Sequence, residues 1–253
     1  MLSYVNVTKK YGEITALDNV TVEFKSGVVN ALLGPNGSGK STMIKIAIGL
    51  IKPDSGSVSV DGVDPSRDPV SARRIIGYSP EEIVLYESLT PAELFSFVGS
   101  IYRIPKDIVK ERINQLIRLF KLEEHMGKLI GELSHGNRRK VSLVLSLLHE
   151  PRVLLLDEPF SGLDPQAGRI LKELMRKHAR DGRTVVFSTH ILEIAEAVAE
   201  NIVIMSNGRV VGSGSPDELK KRLSASDMES AFLKATGLSE EVREMIRILW
   251  GSE

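Results

Sequence analysis

Nine consecutive residues, Gly34-Pro35-Asn36-Gly37-Ser38-Gly39-Lys40-Ser41-Thr42, restrict this chain more than any other stretch. Gly34, Gly39, Lys40 and Ser41 satisfy the G-x-x-x-x-G-K-[ST] spacing, in which glycines let successive backbone N–H groups turn inward around an anion. The apolar run Val28 to Leu33 before the loop reads as a central strand. The apolar stretch Met43 to Leu50 after it reads as a helix that points its positive end at the same anion. A strand, this loop and a helix in that order predict a grip on a phosphorylated ligand. Lys40 supplies a mobile charge for β- and γ-phosphates, and the Ser41 hydroxyl is a ligand for Mg²⁺.

With 253 residues the chain can build one large domain, or a core with a subdomain, around a sizeable interior. Lys plus Arg and Asp plus Glu each total 33, so the formal charge is zero and nothing electrostatic favours nucleic acid or anionic lipid as a partner. Cysteine is absent, which excludes disulfides and fits a reducing compartment. Met1-Leu2-Ser3-Tyr4 does not read as a secretory leader, and no apolar run approaches the roughly 18 residues of a membrane span. The sequence thus predicts a soluble chain that reaches a membrane only through another protein.

Leu2 to Val7 and Asn19 to Phe24 alternate and are rich in β-branched residues, predicting half-buried strands. Ser57 to Val60 predicts another, and Arg74 to Gly77 leads into a short one ending at Pro80. From Glu81 to Glu150 the period becomes helical. Leu94, Phe95, Val98, Ile101 and Tyr102 share one face, and Val109, Ile113, Leu116, Ile117 and Phe120 another, with Pro91 and Pro105 near the helix starts. A third helix turns Val141, Val144, Leu145 and Leu148 inward. These stripes read as core packing of a helical insertion. Strands return at Val153 to Leu156, Thr184 to Ser188 and Ile202 to Met205. Helices around Gln166 to Arg180 and Ile191 to Glu200 separate them, which implies a mostly parallel sheet covered on both faces. Asn207-Gly208 predicts a closing hairpin with Arg209 to Gly212. In the tail, Met228, Ala231, Phe232 and Ala235, then Val242, Met245, Ile246 and Leu249, mark two short amphipathic helices, read as packing on the core, with a partner contact as the alternative.

Val153-Leu154-Leu155-Leu156-Asp157-Glu158 sets two carboxylates where a buried strand emerges. A parallel sheet binds ligands beyond the carboxyl ends of its strands, which places Asp157 beside the loop at Gly34 to Ser41. There Asp157 can hold Mg²⁺ through water, and Glu158 can polarise a water for attack on a γ-phosphate. His125, His135, His149 and His178 show no paired metal spacing.

Five elements in this order resemble the nucleotide-binding subunit of ATP-binding cassette (ABC) transporters. Besides the phosphate loop and the Asp157-Glu158 strand, Leu133-Ser134-His135-Gly136-Asn137 is similar to the family signature Leu-Ser-Gly-Gly-Gln, and it precedes the helix Val141 to Leu148 as the family's does. Ser161-Gly162-Leu163-Asp164 resembles the D-loop, and Ser188-Thr189-His190 the switch histidine. The likeness covers about Tyr11 to His190, with a looser match to Leu219. It implies an α/β P-loop NTPase core with a mostly parallel sheet, an N-terminal antiparallel β subdomain and an inserted helical subdomain. The corresponding division is 1–80 for the first part of the core, 81–150 for the helical signature subdomain, 151–216 for the second half of the core and 217–253 for a helical tail.

The resemblance implies ATP and Mg²⁺ as ligands. Tyr11 would stack on adenine. Gly34, Asn36, Gly37, Ser38 and Gly39, with Lys40, Ser41 and Thr42, would hold the phosphates and the metal. Glu158 would be the general base, and His190 would contact the γ-phosphate and orient the attacking water. Ser134 and Gly136 would close on ATP bound to a second subunit, so that ATP joins two subunits and hydrolysis releases them. The implied partners are a second nucleotide-binding subunit, as homodimer or heterodimer, and a separate membrane permease, with the chain peripheral on the cytoplasmic face. Nucleic acid is not expected.

Two departures from the family pattern stand out. Tyr78-Ser79-Pro80-Glu81 places Glu81 where the family usually has Gln; a carboxylate there can ligate Mg²⁺ but repels a γ-phosphate unless the metal lies between them. In the signature, His135 and Asn137 replace Gly and Gln while Ser134 and Gly136 remain. The Pro-Glu-Glu form and Ser188-Thr189-His190-Ile191-Leu192-Glu193 resemble the export-type branch more than the nutrient-import branch. Glu81 to Thr90 would face the permease, with Leu85 and Tyr86 either exposed for docking or buried in the insertion. The alternatives are a non-transport ABC ATPase acting as an ATP-gated clamp, and a catalytically weak regulatory subunit.

Overall fold

In the computed structural model, which describes residues 1–238, the strand ahead of the phosphate loop sits inside a six-stranded sheet. The first half of the chain forms β1 (Leu2–Tyr11), β2 (Ile14–Phe24), β3 (Val29–Leu33), α1 (Lys40–Ala47), β4 (Ser55–Val60), α2 (Pro69–Ile75) and β5 (Ile76–Ser79). Three helices follow, α3 (Pro91–Ile101), α4 (Lys106–Phe120) and α5 (His135–Leu147). The rest is β6 (Val153–Leu156), α6 (Pro165–Arg180), β7 (Thr184–Thr189), α7 (Leu192–Val198), β8 (Asn201–Ser206), β9 (Arg209–Gly214), α8 (Pro216–Arg222) and α9 (Met228–Thr236). The predicted helix at Val242 to Leu249 lies outside the described residues.

β1 pairs antiparallel with β2 on one side and β4 on the other. The larger sheet runs β5-β6-β7-β3-β8-β9, parallel throughout except for β9, which returns antiparallel along β8. The reversal is made by Asn207 and Gly208 at φ 47° and 74°, the left-handed pair that a two-residue hairpin turn needs. The parallel strands are buried on both faces, which is why they read as continuous apolar runs. Val29, Ala31, Leu33, Leu154, Leu156, Val185 and Phe187 face the helical layer, where Val141 and Val144 of α5 and Leu171 and Met175 of α6 meet them. Leu32, Leu155, Val186 and Val203 face the other way, against Met43 and Ile44 of α1 and Leu2, Tyr4 and Phe24 of the antiparallel sheet.

Several extents differ from expectation. β1 and β2 run on to Tyr11 and start at Ile14, because pairing between neighbours carries the strands past the alternating stretches. α1 stops at Ala47, three residues short of Leu50. The sequence reading missed α2, although its signal is local: the Asp68 side chain accepts from the Ser71 N–H and Pro69 occupies the first turn. α3 starts on a full capping box between Thr90 and Glu93, with Pro91 in its first turn. Ile101 leaves the α3 stripe and is 59% exposed. α9 follows the packing reading, with Met228 and Ala231 in the core and Phe232 and Ala235 against it. Among the described residues no helix is long and apolar enough to cross a membrane.

Candidate functional site

The carboxyl ends of β3, β5, β6 and β7 converge on one edge of the parallel sheet. Leu33 pairs with Thr189 and Leu156 with Phe187, so β7 lies between the phosphate-loop strand and the Asp157-Glu158 strand. The loop leaves β3 at Gly34, whose N–H donates to the Thr189 carbonyl at 3.3 Å. A Cβ on Gly34 would sit 2.6 Å from the Met205 carbonyl oxygen and from Ser38 Oγ, so no side chain fits there. Gly39 caps α1 at φ 105°, and a Cβ would lie 2.6 Å from the Ala16 carbonyl oxygen. Among the described residues no side chain caps α1, which leaves its first N–H groups open to a ligand.

A cavity of about 420 Å³ opens over the loop, lined by Tyr11, Thr15, Asn36, Gly37, Ser38, Gly39, Lys40, Ser41, Thr42, Glu81, Asp157 and Glu158, with Ile14 and Ala16. Tyr11, 46% exposed at the end of β1, presents a ring face at its rim, with Lys9 Nζ 5.6 Å from the ring centroid. Lys40 is 7% exposed, and its ammonium donates to the carbonyls of Gly34 at 2.7 Å and Pro35 at 3.0 Å. Burial holds the Lys40 pKa below the ordinary lysine value, against the pull of Glu158, Asp157 and Glu81. Ser38 Oγ is buried with no hydrogen-bond partner among the described residues, a free donor inside a glycine-lined cradle that suits phosphate oxygens.

Ser188 on β7 ties the Asp157 carboxylate to the backbone of Glu158. Its hydroxyl donates to Asp157 Oδ1 and accepts from the Glu158 N–H at 2.9 Å. Asp157 N–H donates to the Ser79 carbonyl at 2.9 Å, which fixes the exit of β6 against β5. Glu158 takes φ 45°, a left-handed turn that swings its side chain out of the strand line. His190 Nδ1–H donates to Glu158 Oε1 at 2.8 Å, and Nε2 of the half-exposed ring has no partner among the described residues. Asp157, Glu81 and Ser41 all line this cavity, where their oxygens could serve a cation. Mg²⁺ suits such a set, since it binds through one or two carboxylates and keeps waters and substrate phosphates for its other positions.

The structure therefore gathers most of the predicted residues around one cavity, Gly34 and His190 joining it through their hydrogen bonds to Lys40 and Glu158, and leaves Ser134 and Gly136 apart from it. Ser134 is exposed at the cap of α5, accepting from the Asn137 N–H at 3.3 Å, and Gly136 is half-buried; neither lines the cavity. Gly136 packs instead against the D-loop, where a Cβ would lie 2.7 Å from the Gly162 carbonyl oxygen. Leu85 and Tyr86 divide between the two readings. Leu85 packs against the core, while Tyr86 is 63% exposed beside Val84 at 80%, with the Phe97 ring edge-on at 6.4 Å. Sequence reasoning passed over the bridging role of Ser188, and over Arg139, which is 1% exposed and donates to the carbonyls of Pro80 and Glu81. In the sequence Arg138-Arg139-Lys140 looks like a solvated charge run, and only the apolar neighbours Val141 and Val144 hint that one member turns inward.

A family model described as ABC transporter matches residues 17–161. The chain is 39% identical over 215 residues to a probable sulfate/thiosulfate import ATP-binding protein, CysA, of Chlorella vulgaris, covering 85% of this chain and 91% of that one. It is 32% identical over 249 residues to the linearmycin resistance ATP-binding protein LnrL of Bacillus subtilis, covering 98% and 79%. With ABC transporter G family member 20 of Dictyostelium discoideum it shares 35% identity over 234 residues, 92% of this chain but 32% of that protein, so the chain spans about a third of that relative. Among solved structures, the ATP-binding subunit of an ABC transporter superposes with a TM-score of 0.89 at 34% identity, covering 93% of this chain and 99% of that one. A bacterial ABC transporter cassette solved as a dimer gives 0.76 at 30% identity, covering 85% and 98%.

Proposed function

The chain belongs to the ABC transporter family of ATPases, and from that premise we propose that it is the ATP-binding motor subunit that dimerises around two ATP molecules and drives a separate membrane permease from the cytoplasmic face. The observation that carries the dimer is the position of Ser134 and Gly136. Every other proposed ligand residue lines the cavity or touches one that does, whereas these two lie outside its lining. A second copy, or a related cassette, is the natural source of the missing contacts. Within one chain, Tyr11 takes the adenine, and residues 34–42 take the phosphates. Ser41, Asp157 and Glu81 would hold Mg²⁺, which would supply charge neutralisation on the phosphates. Glu158 accepts the proton of the attacking water, and His190, fixed by the same carboxylate, orients it.

Export is the direction we favour, on the Pro80-Glu81-Glu82 loop, the residues around His190 and the likeness to a resistance protein. Proteins whose names give import stand at equal or higher identity.

Ser134→Arg tests the shared site. Because Ser134 lies outside its own cavity, monomer affinity for ATP should stay within about threefold, while ATP-driven dimerisation and hydrolysis disappear. Loss of monomer affinity in that variant would make the signature a cis element and overturn the two-half-site arrangement. The permease is tested separately through the exposed apolar residues Val84 and Tyr86. Val84→Asp with Tyr86→Asp should leave hydrolysis by the isolated chain unchanged and abolish co-purification in detergent with the multispanning permease subunit that the parent chain captures. Undiminished co-purification would exclude this face from the contact.

A further inference from the structure

The cavity poses a charge problem. Among its lining residues stand three carboxylates, Glu81, Asp157 and Glu158, against one cation, Lys40, and the proposed ligand is itself a polyanion. Glu81 makes this worse than the family's usual Gln would. Directly behind its loop lies Arg139, fully buried in α5. Its two terminal nitrogens donate to consecutive carbonyls, Nη1 to Pro80 and Nη2 to Glu81, at 2.5 and 2.6 Å, and Nε has no partner among the described residues. Among the described residues no carboxylate lies within ion-pair distance of this guanidinium. A buried cation without a contact ion pair is expensive unless a field of opposite sign surrounds it.

Resting on the ATPase reading above, we propose that Arg139 is a positioning residue of the hydrolytic site: its fork holds the Pro80-Glu81 backbone over the phosphates, and its charge offsets the carboxylate that Glu81 adds there. Arg139 also sits five residues after Ser134 on the same helix start, so one rigid piece carries the loop that faces the chain's own nucleotide and the signature that faces the partner's. A planar guanidinium offers its donors in a fixed fork, which sets the spacing of the two carbonyls it holds, whereas an ammonium is a compact point charge on a flexible stem. The electrostatics agree in sign. Burial lowers the Arg139 pKa, and Glu81 leads the charges that push it back up, followed by Asp157 and Glu158.

The test is a double-mutant cycle on Mg-ATP hydrolysis with Arg139→Met, Glu81→Gln and the two combined. Arg139→Met alone should lower kcat about 30-fold with KM moving less than about threefold, as expected when a group acts on the reacting geometry. In the Glu81→Gln background the same change should cost less than about threefold, because the charge it offsets has gone. Equal losses in both backgrounds would mean that Arg139 is a structural tether only, and would overturn the proposal. Arg139→Lys keeps the charge and covers the case in which Arg139→Met does not fold. A loss below the roughly 30-fold expected of Arg139→Met supports the charge role, since only the fork is then missing, and a loss of about 30-fold or more refutes it. A parent chain without Mg-ATP hydrolysis would instead bring down the ATPase reading, so the two failures are told apart.

Discussion

Lys40→Ala should weaken ATP binding by at least about 100-fold and remove hydrolysis. Each charge-assisted hydrogen bond from an ammonium to a phosphate oxygen is worth roughly 1.5–3 kcal/mol, and Lys40 is the single cation among the cavity's lining residues. In the structure its ammonium is held by the carbonyls of Gly34 and Pro35, so it already lies within the loop's curve and costs little to redirect. Burial that lowers its pKa acts in the same direction, since a desolvated ammonium gains more from meeting an anion than a hydrated one does. Equilibrium titration with a fluorescent ATP analogue measures the loss. The thermal midpoint should move little, because water at the cavity mouth can replace the lost bonds to the two carbonyls. Unaltered affinity would remove the phosphate loop from the mechanism.

Glu158→Gln should separate binding from chemistry. The amide oxygen of Gln can still accept from His190 Nδ1–H, and the backbone N–H at 158 can still donate to Ser188, so the geometry survives while the base is lost. Removal of a general base costs about 10²–10⁴ in rate. ATP that joins two chains and is not hydrolysed should then hold them together, and light scattering at saturating Mg-ATP should report a mass near twice 27.8 kDa. A strictly monomeric Glu158→Gln protein would count against the shared site. Read together, the two variants make opposite predictions about the dimer: Lys40→Ala never forms it and Glu158→Gln never releases it.

Much of the site was legible because its chemistry is local in sequence. A glycine-rich loop, a lysine and a serine act as consecutive residues, and their spacing alone dictates which N–H groups point inward. Asp157 and Glu158 follow four apolar residues, so their emergence at a strand end needed no tertiary knowledge. The parts that were missed share a different property. Ser188 matters because β7 runs between β6 and β3, and Arg139 because α5 docks its first turn behind the Glu81 loop; both roles depend on which elements become neighbours. The helix at Pro69–Ile75 escaped notice for a lesser reason, since seven residues are too few for a periodicity to declare itself. Leu85 and Tyr86, adjacent in sequence, could not be assigned opposite fates until the packing of α3 separated them.

By itself the sequence determined that this chain grips phosphate, that it sets two carboxylates at a strand end, and that five motifs follow one another in the order of one family. Tertiary structure decided the rest: a serine joining the Asp157 carboxylate to the Glu158 backbone, a buried arginine behind the one irregular carboxylate, and a signature outside the chain's own cavity. The reason is physical. Local chemistry follows from residue spacing along one strand or turn, whereas the order of strands in a sheet and the docking of helices are settled by how apolar faces pack, and no single stretch encodes that.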